Sequence, residues 1–238
     1  MKRGKLSTKR LNVSKVSKLK NKKKDTWVVT TRPGSHKKSD SISLAILIRD
    51  ILEYAQNIKE VKKIIAKGSV TVDGNIIKDY KFPIGLMDVV AFKDQDTVFR
   101  MVLNKKGKLI PVPIKKENKD LKLLQIKNRC VQKGGRITIT FHDGKNLITS
   151  EKYSIGDSLI ASVPAVKIEK HIPLKEGAFC YIKKGKHTGD SAKLVEFKTL
   201  GMGRVQAKLQ KEDGSVFYTL KRYLLPIDNI NWVNVEVR

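Results

Sequence analysis

The sequence predicts a multidomain α+β protein: a basic N-terminal arm, a small helix-hairpin module, a β-rich middle domain and a C-terminal barrel. Three observations predict it. The chain has 238 residues, more than one small core usually holds. Helical periodicity is confined to residues 41–67. From Phe99 onward, short β-type runs alternate with Gly, Pro and charged turns. Hydrophobic residues make up 40% of the chain, enough for folded cores and too many for a wholly disordered basic chain.

Residues 1–40 form the arm. Lys2, Arg3, Lys5, Lys9, Arg10, Lys15, Lys18, Lys20 and Lys22 to Lys24 are interspersed with Ser, Thr and Asn, and few apolar residues accompany them. The composition predicts a segment that is disordered alone and orders along a polyanion. A solubilising tail or a localisation signal is the plainer alternative.

Residues 41–93 form the module. Leu44, Leu47, Ile48, Ile51, Leu52 and Ala55 recur at intervals of three and four, which predicts an amphipathic helix over 41–56. Asn57 followed by Glu60 is an N-cap with a carboxylate three residues on, so a second helix is expected over 58–67, stopping at Gly68. Lys59, Lys62, Lys63 and Lys67 share one face of it, either a solvated face or a binding stripe. Val70 to Val72, Asp73-Gly74 and Asn75 to Ile77 predict a tight hairpin, because Gly accepts the positive φ of the turn. A third strand is expected at Val89 to Phe92.

Residues 94–170 and 171–225 read as two β-rich units, with Pro164 and Pro173 flanking their boundary, and 226–238 reads as a tail. In the first unit Ile137, Ile139 and Phe141 alternate with Thr138 and Thr140, and His142-Asp143-Gly144-Lys145 makes a turn.

The charge identifies the class of partner. Lys and Arg number 50 against 23 Asp and Glu, a formal net charge of +27. Residues 1–40 alone carry 14 basic and 2 acidic side chains, 14 − 2 = +12, so nearly half the excess sits in the arm. A self-repelling load of this size suits a polyanion, and nucleic acid is the expected one. Cys130 and Cys180 are too far apart for a zinc site and offer no disulfide framework; both read as buried small hydrophobes in a reducing compartment. No apolar run suits a spanning helix or a signal peptide, and Trp27 and Trp232 stand isolated, so no membrane partner is expected.

The order of motifs resembles the small-subunit ribosomal protein four family of the archaeal and eukaryotic "e" type, over nearly the whole chain. Arg32-Pro33-Gly34-Ser35-His36-Lys37-Lys38 is similar to the family's lead-in to its first helix, with Ser35 where proline is usual. Residues 60–92, with Gly85 and Asp88 in the last turn, are similar to the RNA-binding module named after ribosomal protein four. Lys133-Gly134-Gly135, residues 142–146 and residues 153–157 resemble the family's middle domain. Residues 177–197, with Gly185 and Gly189, resemble the SH3-like KOW barrel, although Ala192 replaces a further glycine. The resemblance implies a structural protein of the ribosome that binds small-subunit ribosomal RNA beside neighbouring ribosomal proteins, in the cytoplasm. It implies no catalysis, cofactor, metal or small-molecule substrate.

Phosphate contacts are expected from Arg3, Lys5, Lys9 and Arg10 on the arm and from Arg32, His36, Lys37 and Lys38 on the lead-in. On the module they are expected from Arg49, Lys59, Lys62, Lys63 and Lys67, and on the KOW turn from Lys183, Lys184, Lys186 and His187. For His36 an ordinary exposed histidine, and for the turn lysines a water-facing role, stand as alternatives. Two other classes use such modules: an RNA-modifying enzyme, and a transcription or elongation factor. The sequence holds no phosphate loop, methyl-donor glycine motif or Gly-Arg-Leu-Asp stretch for the first. His142-Asp143 lacks a nucleophile and reads as a turn. The basic arm and residues 142–146 argue against the second.

Overall fold

A computed structural model describes residues 7–19, 26–132 and 135–228. They fall into two compact units, one of residues up to 103 with 108–120, the other of 104–107 with residues from 121 onward. The protein is β-rich with few helices.

In the first unit β1 (Ser7–Lys9) pairs antiparallel with β2 (Trp27–Val29), Thr8 opposite Val28. Leu19, Val28 and Ile46 form a small core beneath this ribbon. Arg10 is buried, with a guanidinium nitrogen 3.6 Å from Asp50. The expectation of a disordered leader is therefore corrected for residues 7–19: two apolar side chains and one ion pair find partners on the module. Residues 1–6 and 20–25, with Arg3 and Lys5, lie outside the described residues.

The module begins with β3 (Ile42–Ser43) and α1 (Leu44–Ile46), whose first turn is capped by the Ser43 hydroxyl accepting from the Ile46 N–H at 3.4 Å. The helical path widens over Leu47–Ile51, where the Leu52 N–H reaches the Leu47 carbonyl at 2.9 Å. It then ends, with Glu53 in the left-handed region at φ 59°. The helix expected over 41–56 is thus shorter, and Leu44 to Ile48 are all buried, so that no polar face develops. The helix α2 (Ile58–Ala66) agrees with its expectation: the Glu60 carboxylate accepts from the N–H groups of Gln56 at 2.8 Å and Asn57 at 3.4 Å. Val61 and Ile65 face inward.

The hairpin β4 (Val70–Val72) and β5 (Asn75–Ile76) turns through Asp73 and Gly74 at φ 50° and 78°, the paired positive angles of a tight hairpin turn. Next come β6 (Pro83–Ile84), which pairs with β3, then β7 (Val89–Phe92), β8 (Thr97–Leu103) and β9 (Leu109–Pro113). The sheet order is β5-β4-β7-β8-β9. The boundary expected between residues 93 and 94 therefore falls inside a hairpin: Phe92 pairs with Thr97, and Val89 with Arg100.

The second unit holds two five-stranded antiparallel sheets. The first contains β10 (Leu121–Val131), β11 (Ile137–Phe141), β12 (Asn146–Thr149), β13 (Ser158–Ser162) and β14 (Lys167–Ile172), in the order β12-β11-β10-β13-β14. Leu124, Ile126, Ile139, Phe141 and Leu159 fill its core. The boundary expected near residue 170 lies within β14, which pairs Ile172 with Ser158.

The second sheet contains β15 (Phe179–Ile182), β16 (Ser191–Leu200), β17 (Arg204–Gln210), β18 (Val216–Leu220) and β19 (Leu224–Pro226), in the order β18-β17-β16-β15-β19. Cys180, Ile182, Leu194, Ala207, Leu209 and Leu224 are its centre. The tail expected from residue 226 starts later, since Pro226 pairs with Cys180 and the Ile227 N–H reaches the Phe179 carbonyl at 2.9 Å. Residues 229–238 lie outside the described residues. Cys130, expected to be buried, is exposed near the end of β10, while Cys180 is buried.

Candidate nucleic-acid interface

The lysine face of α2 is the most regular cationic array on the first unit. Lys59, Lys62, Lys63 and Lys67 are all exposed, while Val61 and Ile65 anchor the opposite side. Residues three and four apart on a helix are neighbours, so the four ammonium groups form one strip. Like charges at this spacing repel, and a polyanion relieves the repulsion. Glu60 is the only carboxylate on α2 and is committed to the backbone: the N–H groups of Gln56 and Asn57 hold it below the ordinary carboxylate range. It stays ionised and occupied by its cap. Tyr80, which the sequence pattern does not single out, lies beside the strip with the Lys62 ammonium 4.9 Å and the Lys81 ammonium 5.5 Å from its ring centre.

The lead-in divides into exposed and buried cations. Lys37 and Lys38 are exposed. Arg32 is exposed and reaches Asp79 at 3.0 Å, a weak surface pair that phosphate can compete for. His36 is turned inward, against its expected surface role: its ring is buried, with Nε2 2.9 Å from the Asp88 carboxylate. Gly85 makes the room, since a Cβ there would stand 2.4 Å from the imidazole. Asp88 also accepts the Gly85 N–H at 2.8 Å. Gly34 is likewise required, because a Cβ would come within 2.8 Å of the Pro83 side chain. The Ser35 hydroxyl donates to the Pro83 carbonyl at 3.4 Å. His36 therefore fixes the lead-in on the module.

On the arm, Lys9 is exposed and Arg10 is withdrawn into its pair with Asp50. Arg49 is half-buried and also meets Asp50, at 3.0 Å, which shares one carboxylate between two guanidinium groups.

In the second unit Lys184 and Lys186 project from the turn between β15 and β16. Lys183 instead donates to the side-chain carbonyl of Gln125. His187 is half-buried, its ring 4.2 Å from that of Phe217, with Nδ1 3.8 Å from Asp190. The turn thus presents two lysines outward, while Lys183 is engaged by Gln125 of β10 and His187 packs on Phe217. Gly185 sits at φ 105°, a conformation that side chains rarely adopt, which fixes glycine there for backbone reasons.

Comparison with known proteins places this cationic surface in context. Residues 46–90 match the S4 domain, and residues 95–168 match the ribosomal family S4e. The small ribosomal subunit protein eS4 of Methanocaldococcus jannaschii is 40% identical over 210 residues, covering 84% of this chain and 85% of that protein. The chain belongs to the ribosomal S4e family. The eS4 protein of Ignicoccus hospitalis is 34% identical over 217 residues, covering 87% of this chain and 85% of its own. The crystal structure of the 30S ribosomal protein S4e from Thermoplasma acidophilum superposes with a TM-score of 0.70 at 30% identity, covering 82% of this chain and 99% of that one.

Within the segment that matches the S4e family lies a buried ion pair that sequence patterning does not reveal. The Lys122 ammonium is 3.1 Å from Asp143, and both side chains are fully buried. Burial works against the Asp143 charge, but the charges of Lys122 and His142 and the Lys145 N–H outweigh it and hold the carboxyl below its ordinary value. Gln125, three residues along β10, ties the two sheets of the unit through Nε2 to the carbonyls of Gly156 at 2.9 Å and Leu224 at 2.7 Å. In sequence, Lys122 looks like one more surface lysine. Its placement between Leu121 and Leu123 in a β run is the available hint.

Proposed function

We propose that this protein is a structural constituent of the small ribosomal subunit that binds ribosomal RNA through phosphate and shape contacts, supporting translation without catalysis. The observation that carries it is the match to curated eS4 proteins, 40% and 34% identical over more than four fifths of the chain. Neither alternative class is favoured by any of these relatives. The location that follows is the ribosome in the cytoplasm, among other ribosomal proteins.

In this reading the strip Lys59, Lys62, Lys63 and Lys67 lies along phosphates, with Lys37, Lys38 and Arg32 extending it and Lys9 contributing from the arm. Lys184 and Lys186 make a second contact on the other unit, whose five-stranded sheet β18-β17-β16-β15-β19 is taken to be the SH3-like KOW barrel. Ammonium groups displace counterions condensed on phosphate, which gives affinity without sequence preference. Selectivity then comes from the shape of folded RNA, because the deep major groove of A-form RNA excludes side chains. The spread of exposed lysines over both units supports many simultaneous contacts.

The test is a filter-binding titration of the purified chain with transcribed small-subunit ribosomal RNA at several salt concentrations. Affinity is expected to fall by orders of magnitude between about 50 and 200 mM salt. A flat salt dependence would contradict phosphate-led binding.

A further inference from the structure

The exposed tryptophan of the N-terminal ribbon is left unexplained by phosphate contacts. Trp27 is 57% exposed on β2, and its direct cross-strand partner is Lys9 on β1. Opposed residues of an antiparallel pair share a face, and their neighbours along the strands take the other. Val28 is 2% exposed and packs with Leu19 and Ile46. The register therefore fixes the indole on the outer face, while the inner face already has its apolar residue.

The neighbour that the register places directly opposite that indole, Lys9, is cationic. Residues 7–19 contain Lys9, Arg10, Lys15 and Lys18 and no carboxylate. Arg10 turns inward to Asp50, whereas Lys9, Lys15 and Lys18 are exposed. A wide flat ring facing water gains by being covered, and the exposed Lys9 opposite it favours a polyanion as the cover. A nucleic acid with an unpaired base meets both demands, since it carries a flat π face and a phosphate in one nucleotide.

We infer that Trp27 is a stacking platform for an unpaired base of the bound RNA, with Lys9 on an adjoining phosphate. This rests on the RNA-binding reading above and adds what the α2 strip lacks. Phosphate contacts along a helix are indifferent to pairing, but an indole stacks on a base only where the base has left the duplex stack. The ribbon thereby selects a bulge, loop or single-stranded segment.

The experiment uses the full chain carrying Trp232→Phe, which leaves Trp27 as its sole tryptophan. Its fluorescence is titrated with oligoadenylate, with duplex RNA of equal length and with inorganic polyphosphate. Quenching is expected with oligoadenylate and not with the other two, although all three bind. Trp27→Ala should weaken oligoadenylate binding about 5- to 150-fold, the size of one base stacked on an aromatic ring. It should leave the salt slope unchanged, and Trp27→Phe should retain most of the affinity; circular dichroism checks that both variants fold. Equal quenching by polyphosphate, or unchanged oligoadenylate affinity in Trp27→Ala, overturns the inference. So does weakened association with the small subunit at unchanged oligoadenylate affinity, which would assign the indole to a protein contact. Failure of all three polyanions to bind removes the RNA-binding reading itself, and this inference with it.

Discussion

The imidazole of His36 and the carboxylate of Asp88, 52 positions apart in the chain, meet at 2.9 Å in a buried pocket beside Gly85. Two motifs that are separate in the sequence, the basic lead-in and the last turn of the module, are thereby one structural unit. The lead-in runs on into β3, which pairs with β6, and the His36–Asp88 contact holds the exposed Lys37 and Lys38 next to it. The lysines proposed to bind here depend for their placement on a histidine that is itself buried against a carboxylate.

Gly85→Ala places a methyl group 2.4 Å from the His36 ring. It should destabilise the protein by about 1–3 kcal/mol in urea denaturation. His36→Ala should also destabilise, by about 1–3 kcal/mol, because Asp88 loses a buried partner. The pair together should cost less than the sum, since removing the ring frees the space that the methyl needs. Strict additivity would disprove the contact.

Charge reversal of Lys62 and Lys63 to Glu tests the α2 strip. Both side chains are exposed, so folding should be unaffected while affinity for ribosomal RNA falls. The salt slope should become shallower by roughly 0.7–0.9 for each phosphate that is no longer neutralised. Unchanged affinity in filter binding would remove the strip from the interface.

The buried Asp143 makes the second unit sensitive to acid. Its folded carboxyl lies below the ordinary value of 3.8, so the folded state binds fewer protons than the unfolded one as pH falls. Its stabilising contribution is present above 3.8 and is lost as pH drops through the folded value. Asp143→Asn should flatten that part of the stability curve. It should also cost about 3–5 kcal/mol at neutral pH, because Lys122 loses its buried counter-charge. Thermal unfolding from pH 7 downward measures both.

The two cysteines should separate by reactivity. Cys130 is exposed, whereas Cys180 is buried and burial pushes its thiol up to about 12. A thiol reagent at neutral pH should modify Cys130 rapidly in the native protein and Cys180 only on unfolding. Mass spectrometry of the modified peptides distinguishes them.

What the sequence revealed follows physical patterning. Alternation along Ile137 to Phe141, the Asp73-Gly74 turn and the Asn57–Glu60 cap are local signals, and each lies where it was expected. The strand β14 escaped because Lys167, Glu169, Lys170 and His171 are exposed at a sheet edge, which leaves no buried alternation to read. The helix after Ser43 was overextended because periodic apolar residues look the same whether one face or the whole turn is buried. His36 and Arg10 read as surface cations, and their distant carboxylates, Asp88 and Asp50, turn them inward; Lys122, paired with Asp143, drew no reading at all. Non-local ion pairs leave no periodic trace. The α2 strip was legible because its four lysines are one helix face; Trp27 was not, because its exposure is set by the pairing of β1 with β2.

The most direct test is sedimentation of the endogenous protein through a sucrose gradient, first at physiological salt and then after a high-salt wash. The protein is predicted to travel with the small ribosomal subunit and to leave it only in the wash. A chain that stays at the top of the gradient at physiological salt would contradict a permanent place on ribosomal RNA.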